Sequence, residues 1–253
     1  MIAFSLQSGS NGNCIYVESC GVKLLFDAGI SGIDAERRLA THGRNIREID
    51  AVILSHDHAD HTRFAGVYQR KYGLPLYVTP KTLDIAVMRH RIGRLSDVHH
   101  FRAGEALRFG RVAVQTIPTP HDGADGSAFV ITANEKRLGI MTDLGHAFED
   151  LFPAIASLDA VFIESNYDPG MLERGSYPYY LKRRIQGPGG HLSNREAAEL
   201  IKAGKGLKWA CLAHLSEQNN SPHIALRTHR EIVPENLTLY TAGRYRQTEI
   251  LSV

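Results

Sequence analysis

The apolar run Ala51-Val52-Ile53-Leu54 passes without a break into Ser55-His56-Asp57-His58-Ala59-Asp60-His61. Three imidazoles and two carboxylates therefore stand within six residues, directly after what reads as a buried strand. A strand that stops in a sharp polar turn presents those side chains together to one cleft. Imidazole nitrogens and carboxylate oxygens suit zinc, manganese or iron. His-x-His-x-Asp-His is a specific pattern, and single residues later in the chain complete it, so the motif predicts a metal site.

With 253 residues the chain can bury a substantial core without staples. A 43% hydrophobic and 22% charged composition is ordinary for a soluble globular protein. The 29 basic and 27 acidic side chains leave a formal charge of +2, which by itself indicates neither nucleic acid nor a membrane. Such a partner needs a local patch. Cys14, Cys20 and Cys211 are odd in number and lack Cys-x-x-Cys spacing, which argues against a disulfide framework and for small buried hydrophobes. Met1-Ile2-Ala3-Phe4-Ser5 has no basic region followed by an apolar core, so no signal peptide is expected. No apolar run approaches a membrane span. The expectation is a cytoplasmic enzyme.

The chain alternates short apolar runs with turn formers and amphipathic stretches. Strands are expected at 2–6, 14–18, 22–26, 51–54 and 76–78, then at 98–101, 106–109, 112–117, 128–132, 139–142, 160–163 and 209–213, and in the tail at 237–240 and 246–251. The spacing predicts a helix over 33–42, with Ile33, Leu39 and Ala40 inward and Glu36, Arg37 and Arg38 outward. Helices are further expected over 62–72 and 148–156, after Thr79-Pro80, after the capping box Ser193-Asn194-Arg195-Glu196, and after Ser221-Pro222. From Tyr167 to Gly190 three prolines and four tyrosines break the pattern, which reads as a lid-like segment. No repeat or linker divides the chain, so one domain over 1–253 is expected. Two β-rich halves flanked by helices predict a four-layer α/β/β/α sandwich whose strand-end loops converge at one edge.

Several residues elsewhere in the chain share the position of the opening motif, at the end of an apolar strand. They are Asp27, His121, Asp143, Glu164 and His214. With these residues in this order the chain resembles the metallo-β-lactamase superfamily over nearly its whole length. The resemblance implies a two-metal centre: His56, His58 and His121 on the first ion, Asp60, His61 and His214 on the second, and Asp143 bridging. It also implies that Asp27 accepts the other N–H of a ligand imidazole, while Asp57 shapes the turn.

Finer resemblance lies in the second half. Glu164-Ser165-Asn166-Tyr167-Asp168, Gly190-His191-Leu192-Ser193-Asn194 and His214-Leu215-Ser216 look like nuclease members such as tRNase Z and RNase J. The small YycJ/WalJ-type exonucleases are similar also at Ser8 to Cys14 and Tyr177 to Lys182. The interval from Asp143 to His191 is too short for a β-CASP insertion, and the long arm of tRNase Z is absent.

What this implies is a binuclear phosphodiesterase or nuclease, exonuclease-like, with DNA ahead of RNA as substrate. Two divalent ions, zinc first with manganese or iron as alternatives, would activate a bridging hydroxide for in-line attack. His191, Glu164 and Asp60 are the candidate catalytic groups. His191 would act as general acid, and Glu164 would contact and orient it. Ser10 and Asn13, in the Gly-rich turn, offer donors to a terminal phosphate. Tyr177, Tyr179 and Tyr180 offer faces to bases, and Arg174, Lys182, Arg183 and Arg184 offer charge to phosphates. A packed lid with a solvated basic helix face explains that segment equally well. His42, His90, His99, His100, His146, His223 and His229 match no ligand position, with His146 alone expected near the cleft rim.

Two rivals remain at this level. One is a small-molecule hydrolase of the same fold, a thioesterase, lactonase or cyclic-phosphate diesterase. The other is a metal-containing nucleic-acid-binding module without turnover.

Overall fold

Successive residues of a strand face opposite sides, and in this chain both sides are apolar. Ile15 and Val17 pack into one cluster and Cys14 and Tyr16 into another. Ala160 and Phe162 join the cluster of Ile15, whereas Val161 and Ile163 join a third. Strands buried on both faces need cover on both faces, which dictates layers.

The computed structural model, which describes residues 1–253, meets that demand with two seven-stranded sheets. The first six strands are β1 (Ile2–Gln7), β2 (Cys14–Ser19), β3 (Val22–Phe26), β4 (Ala51–Ile53), β5 (Leu76–Val78) and β6 (Val98–His100). The next seven are β7 (Ala106–Phe109), β8 (Val112–Pro118), β9 (Ser127–Ala133), β10 (Lys136–Met141), β11 (Ala160–Glu164), β12 (Trp209–Ala213) and β13 (Thr238–Thr241). The last, β14 (Leu251–Ser252), returns to the edge of β1. One sheet runs β14-β1-β2-β3-β4-β5-β6 and the other β13-β12-β11-β10-β9-β8-β7. Strands β3 to β6 are mutually parallel, as are β10 to β13, and the remaining pairings are antiparallel.

Phe26 and Phe129 meet between the sheets with ring centroids 5.0 Å apart. The outer face of the first sheet is covered by α1 (Gly32–Thr41) and α3 (Ala65–Tyr72) through Ala35, Leu39, Ala65 and Tyr68. The outer face of the second is covered by α5 (Leu151–Ala156), α8 (Asn194–Lys202) and α9 (Pro222–Arg230) through Leu151, Ala197, Leu200 and Ala225. The result is the expected α/β/β/α order. Short α2 (Ala59–Thr62) and longer α4 (Pro80–His90) follow β4 and β5. No helix is long and apolar enough to cross a membrane.

Helix starts follow their caps. Thr79 Oγ1 accepts from Thr82 N, Ser221 Oγ accepts from Ile224 N, and Ser193 and Glu196 form the reciprocal capping box. Three expectations need correction. In α1 the buried stripe is Ala35, Arg38 and Leu39, while Ile33 is 70% exposed and Ala40 is also outside. Arg38 turns inward because its guanidinium donates to Leu6 O, the Gln7 side chain and Tyr245 O, tying helix, first strand and tail together. Of the stretch expected at 246–251, only the end enters a ladder, as Leu251–Ser252, because Thr248 bonds Ser5 by backbone and hydroxyl and holds 243–250 as a loop beside β1. The segment from Tyr167 to Gly190 is not irregular throughout. It holds α6 (Pro169–Arg174) and α7 (Tyr179–Gln186), packed on a small core of Tyr167, Leu172 and Ile185.

His229 in α9 is fully buried; its Nδ1–H donates to Ala225 O at 2.8 Å and Nε2 has no partner. Burial pulls its pKa down to about 4. An unfolded chain takes up this proton below about 6.5 and the folded one does not, so stability is full above that value and is lost as pH falls towards 4. We expect urea unfolding to show up to about 3 kcal/mol lost through this group between pH 7 and 4. A His229→Leu variant should show a correspondingly flatter acid slope, and identical slopes would remove His229 from the account.

Candidate metal centre and active site

Asp27, His56, Asp143, Glu164 and His214 sit at or just beyond the carboxyl ends of β3, β4, β10, β11 and β12. Open α/β sheets place ligands at that end of parallel strands, and here two sheets contribute to one cleft. Asp27, Asp143 and His214 adopt left-handed backbone, with φ of 67°, 55° and 53°. This region costs a non-glycine residue roughly 1–3 kcal/mol, and it swings each side chain out of its strand's alternation. Cross-links fix the two halves together. Ser127 N donates to Ser55 O at 3.1 Å and His214 N to Ser8 Oγ at 2.8 Å, while within the first half Asn13 N donates to Asp60 O at 2.7 Å.

Two of the rings, His61 and His121, are oriented by their second nitrogen. His61 Nδ1 donates to Asp27 Oδ2 at 2.7 Å, which leaves Nε2 3.2 Å from Asp143 Oδ2 and 3.5 Å from Asp60 Oδ2. His121 Nδ1 donates to Gly190 O at 2.8 Å, and its Nε2 lies 3.3 Å from His58 Nδ1. Asp27 also accepts from Ser55 N and Ser55 Oγ, so one carboxylate ties the ligand turn to β3. His214 Nε2 is 3.4 Å from Asp60 Oδ2, and Asn166 Nδ2 donates to His214 O at 2.9 Å.

The donor atoms converge as a metal site requires. His56, His58 and His121 form one group, Asp60, His61 and His214 another, and His56, His61 and Asp143 join the two; within each group the ligand atoms lie within 4.8 Å of one another. His56 Nε2 and Asp143 Oδ2 are buried without any hydrogen-bond partner. Two orphaned ligand atoms in one cluster are what a cation would satisfy. Electrostatics divide the cluster in two. Burial holds His56 and His58 below the usual imidazole range, and neighbouring imidazoles add to the effect. Burial acts the same way on His61, but Asp27, Asp143 and Asp60 outweigh it and hold the ring well above that range. Against burial, Asp143, Asp60 and Glu164 lift His214 to about 10. The carboxylates thus demand positive charge, and these residues fit divalent metal ions.

Beside the cluster, Glu164 Oε1 accepts from His191 Nδ1 at 2.6 Å, and Oε2 accepts from Leu144 N and Leu192 N. Glu164 is fully buried. Burial opposes its ionisation, yet His191 and the hydrogen bonds from His191 and His214 bring it down to about 2. His191 Nδ1 and His214 Nδ1 also lie near Asp143 and Glu164 as a fourth group, but the short Glu164–His191 bond already spends that carboxylate oxygen.

A cleft of about 280 Å³ is bordered by Ser10, His58, Asp60, Asp143, His191 and His214, and also by Arg89, His90 and Arg184. Of the Gly-rich turn, Ser10 borders the cleft. Asn13 is buried and its amide is taken by Gly9 O and Asp60 Oδ2, so it positions a ligand instead of offering donors to a phosphate. Tyr177 packs against the small core under α7, whereas Tyr179 and Tyr180 are about three-quarters exposed (76% and 74%). Lys182 Nζ is anchored on Glu173 O, and Arg183 is exposed. His146 Nδ1 bonds Pro188 O. Asp57 shapes the turn, its Oδ1 accepting from Ala124 N at 2.6 Å. Sequence reasoning overlooked Arg89, Asp122 and Asn166, and set His90 aside as matching no ligand position. Only Asn166 lay inside a quoted motif, and nothing local marks the others.

Removing the Asp27 carboxylate leaves His61 free to rotate. Asp27→Asn should weaken metal binding at the Asp60, His61 and His214 group by roughly 10- to 100-fold. Chelator competition followed by metal analysis checks this, and unchanged retention of both ions would show that Asp27 does not orient the ring.

A sequence profile of the beta-lactamase superfamily domain matches residues 23–214. Exodeoxyribonuclease WalJ of Streptococcus pneumoniae is 34% identical over 88% of this chain and 84% of its own length. Exodeoxyribonuclease YycJ of Bacillus anthracis is 34% identical over 91% and 88%. Among solved structures, the metallo-beta-lactamase fold protein YhfI from Bacillus subtilis superposes with a TM-score of 0.75 at 16% identity, covering 99% of this chain and 98% of its own. The short form of human tRNase Z does so at 0.69 and 15%, with both chains fully covered; these two likenesses speak to the fold alone. The profile and the curated relatives together place this chain in the metallo-β-lactamase superfamily, beside the YycJ/WalJ-type proteins.

Proposed function

We propose that the protein is a binuclear metal-dependent exonuclease that hydrolyses phosphodiester bonds, with DNA ahead of RNA as substrate. His56, His58 and His121 would hold one divalent ion and Asp60, His61 and His214 the other, with Asp143 facing both. Bound there, two such ions acidify a water and stabilise charge on the attacking and departing oxygens.

The observation that carries the reading is the Glu164–His191 pair at the cleft. A departing alkoxide needs a proton, and His191 is placed to deliver one. Its Nδ1–H is spent on Glu164, and its Nε2 has no partner in the protein. Glu164, kept ionised by its surroundings, serves as a fixed countercharge that accepts from Nδ1–H and holds the ring in one orientation, so the proton delivered is one carried on Nε2. Asp60 is fixed by Asn13 on one side and faces His61 and His214 on the other. Tyr179 and Tyr180 offer exposed rings, and Arg183 exposed charge, to unpaired nucleotides. Two relatives named as exodeoxyribonucleases, each 34% identical over most of the chain, support both the bond type and the choice of DNA.

His191→Ala should retain both metals, measured by mass spectrometry, and lose roughly 10²- to 10⁴-fold in turnover; full activity would sink the assignment. The metal-loaded protein should be tried on single- and double-stranded DNA, RNA, bis-p-nitrophenyl phosphate, a thioester and a lactone. Cleavage of the phosphodiesters is expected. Cleavage of only the thioester or lactone would overturn the nuclease reading. No hydrolysis with both metals bound would point to a binding module.

A further inference from the structure

Two arginines border the cleft from opposite stretches of sequence, Arg89 in the last turn of α4 and Arg184 in α7. Each is anchored on a carboxylate next in the chain to a ligand histidine. Arg89 Nη1 donates to Asp57 Oδ2 at 3.2 Å, and Asp57 lies between His56 and His58. Arg184 donates through Nε and Nη2 to Asp122 at 2.7 and 3.0 Å, and Asp122 follows His121. Asp122 Oδ1 is itself 3.4 Å from His58 Nε2. Both guanidinium groups are thereby registered to the metal ligands within one residue of chain.

The side chains of Arg89 and Arg184 stay 56% and 50% exposed. Each guanidinium carries five N–H donors, and the ion pairs use only a minority of them. The exposed Arg184–Asp122 pair contributes about 0–1 kcal/mol to stability, and buried Asp57 already accepts from Ala124 N, so folding leaves most donors of both arginines open at one cleft. The cleft also presents Asp60 and Asp143, which repel a polyanion. A cationic rim offsets that repulsion, and the guanidinium fork matches the non-bridging oxygens of a phosphate.

We propose that Arg89 and Arg184 form a two-armed clamp for the phosphodiesters flanking the scissile one, each arm resting on Asp57 or Asp122 until a phosphate takes the carboxylate's place. The clamp rests on the nuclease reading for its substrate, and it makes length a specificity determinant: a diester with no flanking phosphate leaves both arms empty.

The test is equilibrium binding of a nuclease-resistant single-stranded phosphorothioate decanucleotide to the metal-loaded protein, read by fluorescence anisotropy at several KCl concentrations. Arg89→Gln and Arg184→Gln should each weaken binding roughly tenfold and flatten the plot of log affinity against log salt by about 0.7 per arginine. Metal content should match the parent. Asp122→Asn should bind at least as tightly as the parent, because it frees Arg184 and removes a negative charge. Unchanged affinity and slope in both arginine variants would overturn the clamp, as would absence of binding by the parent protein. Equal losses in Asp122→Asn and Arg184→Gln would also overturn it, by showing the ion pair to be a strut. A parent that binds through both arginines yet cleaves no DNA would refute the exonuclease reading and leave the clamp standing.

Discussion

The structure is organised around a concentration of buried negative charge. Asp27, Asp143 and Glu164 are almost wholly shielded from water, and Asp60 lies within hydrogen-bond range of the same ring of imidazoles. Buried carboxylates persist only when paired or coordinated. Here the pairing is graded. Asp27 and Glu164 each have a histidine nitrogen within 2.7 Å. Asp60 and Asp143 meet their imidazoles at 3.2 Å or more, and Asp143 Oδ2, the oxygen facing His61 Nε2, accepts no hydrogen bond of good geometry. The tight pairs orient and the loose ones wait for a cation. This one difference separates the supporting groups from the ligands without reference to any relative.

The sandwich makes such a cluster affordable to fold. Its hydrophobic work is done between and outside the sheets, in three clusters that hold none of the site residues. The ligands sit where strands end, and three of them or their supports adopt left-handed backbone. Close approach is enforced by glycine: a Cβ on Gly29 would lie 1.6 Å from Asp60 O, so any side chain there would push the ligand turn away from β3. Strain and close contact are therefore confined to the edge where chemistry is placed.

Strand by strand, the architecture was legible because short continuous apolar runs bounded by turn formers, such as Cys14 to Val17 and Ala160 to Ile163, mark strands buried on both faces. Where the pattern misled, a polar side chain was doing a tertiary job. Arg38 looked like a solvated helix position and is a buried tie between β1 and the tail. The tail looked like a strand and is held as a loop by Thr248. Local periodicity carries no information about partners more than 200 residues away. The site shows the same division. Residues that follow strands announced themselves by position, whereas Arg89 takes its meaning from Asp57 and Asp122 from Arg184, partners that only the folded chain brings together.

That division bears on how one fold serves different substrates. The ligand atoms are fixed by strand ends, backbone bonds and buried carboxylates, so changing them costs the metal site itself. Arg89 and Arg184 sit on α4 and α7, outside the sheets, and their side chains are half exposed. Changes there leave the cluster of His56, His58 and His121 intact while altering what charge and shape the cleft will accept. The cluster of buried donors is thus a property of the strand ends, and the charge at the cleft rim a property of the helices laid beside them.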